Sequence, residues 1–550
     1  MLSYKTPGVY VEEVASFPPS VAPVSTAIPA FIGYTQKADE SLIYEPIRIS
    51  SFLEYKDIFG GPSNGNYQFN VTEDMVVMDA VASEMPDKLL YHHLDFFFKN
   101  GGGSCYVVST GNYYSDAKLD DFTTALDALA KEDEPTLYVF PDALELGANY
   151  YQLVIASLQS CHRLGDRFTI IDVPKDASEA DFRNSAAAPA QQLRYGAAYK
   201  PYVETTLSYA WKDESVTVNM METVQSDIGR LHTDGSGEGN GLLITYNGDS
   251  ADKPTVSIVK DPAVAGTAVN VEGSALTITL KGDSISTGTV LGKWDDLTEK
   301  GNFDMVKEGT GSMDVTPGIN AAEMIFHEVV NRQESLADIK ESHTAIYANI
   351  ESQLNDMRIT LPPSAGLAGI YASVDRDRGV WKAPANVPMA AVIQPTEKIT
   401  NEQQESMNVD PTSGKSINAI RAFTGKGTVV WGARTLEGNS NDWRYVSVRR
   451  LFNMVEESLK KATDFAVFEP NDANTWLKVK GMSESFLFGL YEQGAFAGSE
   501  PSNAYYVNVG LGTTMTQQDV LEGRMIVEIG IAPVRPAEFI ILRFTQKIQE

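Results

Sequence analysis

Thr136-Leu137-Tyr138-Val139-Phe140-Pro141-Asp142, then residues 150–162, then Phe168-Thr169-Ile170-Ile171-Asp172-Val173: these three stretches, in this order, decide the fold class. The first and third are short apolar runs, and the one between them has helical spacing. Strands apolar on both faces need cover on both, and a helix between consecutive strands supplies it. Upstream the rhythm repeats. Ala30-Phe31-Ile32-Gly33-Tyr34 reads as a strand, and residues 51–59 as a helix capped by Ser50 or Ser51 and stopped by Gly60-Gly61. Residues 87–100 read as a helix ended by Gly101-Gly102-Gly103, Cys105-Tyr106-Val107-Val108 as a buried strand, and residues 123–131 as a helix. Residues 24–204 are therefore expected to form an α/β layer.

Downstream the pattern changes. Leu242-Leu243-Ile244-Thr245-Tyr246, Thr255-Val256-Ser257-Ile258-Val259 and Leu276-Thr277-Ile278-Thr279-Leu280 alternate and are separated by Gly, Asp and Ser turns. They predict a small antiparallel β module. Residues 205–345 carry 10 basic and 22 acidic side chains, which suits a solvent-facing insert. Residues 319–357 read as a long returning helix, with Met324, Ile325, Val329, Val330, Leu336, Ile339, Ile346, Ile350 and Leu354 at spacings of three and four. Residues 444–465 predict an amphipathic helix with Leu451, Met454, Val455 and Leu459 as its stripe and Lys460-Lys461 near its cation-favouring end. Residues 473–481 predict another. The expected organisation is an N-terminal arm (1–23), the first half of an α/β core (24–204), an acidic β-rich insert with its return helix (205–345), a C-terminal domain (346–534) and a C-terminal arm (535–550).

Each end offers a strand without an obvious partner. Val9, Tyr10, Val11, Glu12 and Val14 follow the turn Thr6-Pro7-Gly8 and are set apart by Pro18, Pro19, Pro23 and Pro29. At the other end Ile540, Leu542, Phe544 and Ile548 share one face, and Arg543, Thr545 and Lys547 the other. Such strands pair within their own subunit or add to the sheet of another.

Composition narrows the functional classes. The 550 residues exceed one core and imply several domains. Forty-four Lys plus Arg against 73 Asp plus Glu give a net charge of −29, which argues against nucleic-acid and anionic-lipid partners. Cys105 and Cys161 sit in apolar surroundings and read as buried free thiols, too few for a disulfide framework or a four-ligand zinc site. With no signal-like N-terminus and no run of about 18 apolar residues, synthesis and assembly in the cytoplasm are expected.

Catalytic and cofactor motifs occur only as fragments. His327-Glu328-Val329-Val330-Asn331 approaches a metalloprotease motif, but Asn331 stands where the second zinc ligand is required. His92-His93 is adjacent, so helical geometry points its rings apart. Gly425-Lys426-Gly427-Thr428 lacks the earlier glycine of a phosphate loop, its place being held by Ile420. Residues 235–241 are glycine-rich but acidic, and no Gly-x-Ser-x-Gly elbow occurs. Asp375 and Asp377, alternating with Arg376 and Arg378, read as a structural ion-pair motif. No catalytic residue, metal or cofactor is assigned.

Several segments resemble the contractile tail sheath proteins of phages, pyocin-like particles and extracellular contractile injection systems. They are Tyr4-Lys5-Thr6-Pro7-Gly8-Val9-Tyr10-Val11-Glu12-Glu13, residues 47–61, Phe97-Phe98-Lys99-Asn100-Gly101-Gly102 and Tyr195-Gly196-Ala197-Ala198-Tyr199-Lys200-Pro201-Tyr202. The strongest is Leu361-Pro362-Pro363-Ser364-Ala365-Gly366-Leu367-Ala368-Gly369-Ile370-Tyr371-Ala372, followed by residues 375–386, 417–421, 430–436 and 443–451. Together they cover roughly residues 1–204 and 358–550. The resemblance implies a mixed α/β multidomain sheath fold with an inserted small β domain and strand arms exchanged between subunits. It implies a structural subunit that polymerises helically with itself around an inner tube, meets baseplate and terminal cap proteins, and contracts to drive the tube through a target envelope. The C-terminal domain would face the tube, with Lys460 and Lys461 as candidate contacts. The rival readings are an α/β hydrolase-like enzyme, for which no nucleophile–base constellation is present, and a non-contractile baseplate or surface-layer protein.

Overall fold

Pro29–Thr35 (β1) lies buried along its whole length, as a strand covered on both faces must. A computed structural model describes residues 21–72, 75–78, 80–233, 241–308 and 314–543. They divide into two units. One takes in the described residues up to Gly65, Met85–Ala210 and the chain from Asn355 onward; the other is Asn66–Glu84 with Trp211–Leu354.

The first unit is built on a nine-stranded sheet. Besides β1 it contains Ile47–Ile49 (β2), Cys105–Asn112 (β3), Leu137–Val139 (β4), Phe168–Asp172 (β5), Gly196–Lys200 (β6), Val387–Pro388 (β7), Ile417–Phe423 (β8) and Gly427–Val430 (β9), in the order β2-β3-β1-β4-β5-β6-β8-β9-β7. The strands from β3 to β8 in that order run parallel; β2 pairs antiparallel at one edge, and β9 and then β7 add antiparallel pairings at the other. The two-residue period divides β1 between two cores. Ala30, Ile32 and Tyr34 pack with Val108, Leu153 and Leu158. Phe31 packs with Phe97, Val107, Val139 and Phe168 on the other face. The sheet is completed by chain from beyond the second unit: Asn418 of β8 donates to the Ala198 carbonyl of β6 at 3.1 Å, across 220 residues of sequence.

Helices Leu90–Lys99 (α1) and Ser364–Arg378 (α2) cover one face. The small residues of the Ser364–Gly369 run exist for this packing. A Cβ on Gly366 would lie 2.4 Å from the Phe96 ring, and one on Gly369 2.5 Å from the Phe97 carbonyl oxygen. Two buried carboxylates tie these helices to the strand ends. Asp142 accepts the N–H groups of Tyr34 and Leu89, both at 2.8 Å, and Asp172 accepts that of Ser364 at 2.9 Å.

Burial pushes Asp172 up to about 7, against its hydrogen bonds from Ser364. A folded-state pKa above the unfolded 3.8 means that the fold favours the protonated form. The stability contributed by this group is thus fully present below pH ~4, declines as pH rises, and is lost above ~7, at about 1.4 kcal/mol per pKa unit. Asp172→Asn keeps an acceptor for Ser364 and removes the titration. Thermal midpoints measured between pH 4 and 8 should fall less steeply with pH in D172N than in the parent. An unchanged slope would assign the dependence to other groups.

The second unit holds two larger sheets and the helix Thr287–Asp295, around a core with Ile258, Leu276, Ile278, Val290 and Trp294. Its ladders are mostly antiparallel, as expected, but not all. Thr255–Lys260 pairs with Ala275–Leu280 in parallel, and Asn66–Val71 runs parallel to the start of Val216–His232. The single return helix expected over 319–357 is not formed. Ile319–Glu323 and Ile325–Ser335 are strands, the latter paired along Val216–His232; helix begins at Leu336, where Ser335 and Asp338 make a capping box. The β-branched residues at 325, 329 and 330 suit that ladder. His327 therefore lies on a strand, and the helix a zinc motif needs is absent.

Candidate assembly surface

Val446–Ala462 (α3) begins two residues later and ends three earlier than expected, and more than its apolar stripe is buried. Arg449, Arg450, Asn453 and Ser458 are buried beside Leu451, Met454, Val455 and Leu459. Ala473–Glu492 (α4) continues past Gly481, where a Cβ would meet nothing within 4 Å, and starts at an Asp472 cap. Tyr505–Val509 (β10) and Val527–Ile531 (β11) form an antiparallel pair. Among the described residues no third strand joins them, so both edges of this pair are open. Phe452, Val455 and Leu459 of α3, with Val527, Ile529 and Ile531 of β11, line a cleft of about 900 Å³ beside it; Lys460 also lines it.

The two ends of the described chain are held by buried ion pairs. Arg450 donates to both oxygens of Asp375, at 3.0 and 2.5 Å, and to the Thr26 carbonyl at 2.9 Å. The Thr26 hydroxyl donates to Asp375 at 2.6 Å, and Val24 N–H to Ser458 Oγ at 3.0 Å. The Tyr371 ring lies 4.8 Å from the same guanidinium, with its hydroxyl 2.6 Å from that of Tyr199. Arg434, 2% exposed, grips Glu538 from Nε (2.9 Å) and Nη2 (2.5 Å), and Tyr445 donates its hydroxyl to Glu538 at 3.2 Å. Beyond Glu538 the chain turns outward. Phe539, Ile540, Ile541 and Leu542 are 73%, 80%, 78% and 72% exposed.

Val9, Tyr10, Val11, Glu12 and Val14, with Phe544 and Ile548, lie outside the described residues. Ile540 and Leu542 are exposed and in no strand. Asp375 reaches Arg450 rather than its neighbours; Arg376 and Asp377 pair with each other at 3.2 Å, and Arg378 lines a cleft of about 1110 Å³. Lys461 meets Asp133 at 2.6 Å and Glu457 at 3.6 Å. Burial opposes its charge, but these carboxylates outweigh it and hold the amine above the usual lysine value. Lys460 pairs with Glu457 at 3.1 Å, its side chain 71% exposed. Sequence reasoning gave no role to Arg434, Arg450 or Glu538. One signal was present: adjacent arginines ahead of Leu451 on an apolar helix cannot both reach water.

Elsewhere the chemistry stays quiet. Burial pushes His92 down to about 4 and His93 to about 3, so both are neutral core side chains. Lys426 sits in the turn between β8 and β9, flanked by Gly425 and Gly427 at positive φ, and does not open a helix. Both cysteines are buried and free, and burial raises both thiols. Among the described residues no group of three or more His, Cys, Asp or Glu could hold a metal ion, and no helix is long and apolar enough to cross a membrane.

Residues 439–547 match the phage tail sheath C-terminal domain, the stretch that includes α3, the open strand pair and Glu538. The chain is also similar along almost its whole length to the helical sheath of the anti-feeding prophage in its contracted state, with 28% identity, 99% and 100% of the two chains covered and a TM-score of 0.56. In sequence and in fold the chain resembles contractile tail sheath proteins. Other sheath proteins agree. The contracted sheath of an extracellular contractile injection system, PVC, shares 26% identity over 100% of this chain and 99% of its own, with a TM-score of 0.55. The tail sheath protein of Enterobacteria phage T4 is 25% identical over 211 residues, 38% of this chain. A putative prophage major tail sheath protein of Pseudomonas aeruginosa is 26% identical over 184 residues, 32% of this chain. The match spans 30% of the length of the phage T4 relative and 44% of the prophage one.

Proposed function

We propose that this chain is the structural subunit of a contractile sheath. It polymerises helically with copies of itself around an inner tube, joins a baseplate and a terminal cap, and contracts to drive the tube through a target envelope. It works mechanically, without a cofactor, in a phage tail or tail-like particle assembled in the bacterial cytoplasm. One observation carries the reading: a strand pair with two open edges and an exposed apolar chain end occur in the same unit. An open edge leaves backbone donors and acceptors unpaired, and strand addition from another copy satisfies them. The C-terminal strand, with Ile540, Leu542, Phe544 and Ile548, and the N-terminal strand, with Val9, Tyr10, Val11, Glu12 and Val14, are the donated pieces. Because donor and acceptor surfaces differ, the contact is heterologous, the kind that builds a helical filament when its rotation closes no ring. Lys460, exposed at the end of α3, is a candidate tube contact. Lys461 is occupied within its own chain.

Deleting residues 1–20 separates this reading from an enzymatic one. The shortened chain should keep its circular dichroism and thermal midpoint but form no polymers by electron microscopy. Polymers indistinguishable from the parent's would remove the N-terminal arm from the assembly.

A further inference from the structure

The buried ion pairs converge on one element. Arg450 lies in the first turns of α3, and Thr26 and Asp375 are bound to it. Tyr445 is the N-cap of α3, and its hydroxyl reaches Glu538. Arg434, the other partner of Glu538, forms a bridge with Tyr445, and Val446 N–H donates to the Ala433 carbonyl at 3.0 Å. The roots of both terminal segments are therefore fastened within the first two turns of the same helix and its cap. The fastenings are buried and charge-assisted, the strong form of hydrogen bond. Arg450 and Asp375 have side chains 3% and 5% exposed, and Arg434 and Glu538 3% and 19%. The helix start is itself fixed, with Val446 fully buried and the Arg434 N–H donating to Asn418 of β8 at 2.8 Å.

We propose that the start of α3 is a common mount for both arms, with Asp375–Arg450 and Arg434–Glu538 as the positioning pairs that fix where each arm leaves the body. Resting on the sheath reading above, this makes α3 the element that joins an incoming to an outgoing intersubunit link. Tension on the N-terminal arm arrives at Arg450 and tension on the C-terminal arm at Arg434, which is bridged to the Tyr445 cap of α3, instead of being spread through the nine-stranded sheet. The subunit can then turn as a rigid body while its two tethers keep a fixed separation, the behaviour required of a lattice that rearranges without coming apart.

The test is hydrogen exchange on the unassembled full-length chain. The Val24 and Ile28 amides, bonded to Ser458 and Thr136, report the N-terminal root; the Val534 amide, bonded to the Ala495 carbonyl, reports the C-terminal one. Glu538→Gln should speed exchange at Val534 at least tenfold and leave Val24 and Ile28 unchanged. Asp375→Asn should do the reverse. Thr26→Val, which removes a single hydroxyl donor, should do so more mildly and guards against a D375N chain that fails to fold. Val446→Ala, which loosens the start of α3, should speed exchange at both roots. Parental exchange at Val534 in E538Q, or a V446A effect confined to one root, overturns the common mount. Exchange is read without polymerisation, so it decides the mount even for a chain that never assembles. An E538Q chain that loses assembly with parental exchange would overturn the mount and leave the sheath reading standing.

Discussion

Replacing Phe539, Ile540, Ile541 and Leu542 together by serine leaves the monomer folded and abolishes its polymerisation. These side chains are 72–80% exposed, so the isolated subunit loses almost no burial with them. An added strand places alternate side chains on the acceptor. Two large apolar groups buried per link, at about 1.5–3 kcal/mol each, give about 3–6 kcal/mol. That is about two to four powers of ten in the association constant of a single link, at 1.4 kcal/mol per factor of ten. A helical lattice repeats the link in every subunit, so the threshold concentration for assembly moves beyond a usable range. The measurement is sedimentation of polymer against protein concentration, with the thermal midpoint as control. A quartet variant that pellets like the parent would show that this segment is not the link.

Gly369→Val carries the largest expected cost to the fold itself. A Cβ at 369 would lie 2.5 Å from the Phe97 carbonyl oxygen and 2.9 Å from Asn100 Cβ, and neither is the tip of a flexible side chain. The helices α1 and α2 must separate, and overpacking of this kind costs about 1–3 kcal/mol or more. Gly369→Ala should show the smaller share of the same effect. Gly481, inside α4 with open space where its Cβ would go, is the internal control. There Gly→Ala should stabilise by about 1 kcal/mol through helix propensity. Denaturant titration of the three variants reads all of this, and a G369V chain as stable as the parent would mean that the helices are not in close contact.

The parallel core was legible because its strands are short, apolar on both faces and separated by helical spacing; β3, β4 and β5 fall where the apolar runs are. The joining of β8 to β6 was not legible, since nothing local in Ile417–Phe423 names a partner 220 residues earlier. Residues 325–335 misled because Ile325 and Val329, four apart, share one face in a helix and in a strand alike, and only the ladder with Val216–His232 decides between them. The Gly366 and Gly369 pair stood out as a motif before its reason was visible, which is the 2.5 Å approach of a backbone carbonyl. The arginines of the two arm roots were hidden differently. An arginine is read as surface by default, and Arg434 and Arg450 are buried only because Glu538 and Asp375 arrive from distant parts of the chain.

Negative-stain electron microscopy of the purified protein, alone and co-expressed with candidate tube and baseplate proteins, decides whether this chain builds a helical sheath. A sheath subunit gives hollow, striated cylinders in at least the co-expressed sample. Monomers in both, at concentrations where the folded state is intact, would mean that the chain does not build one.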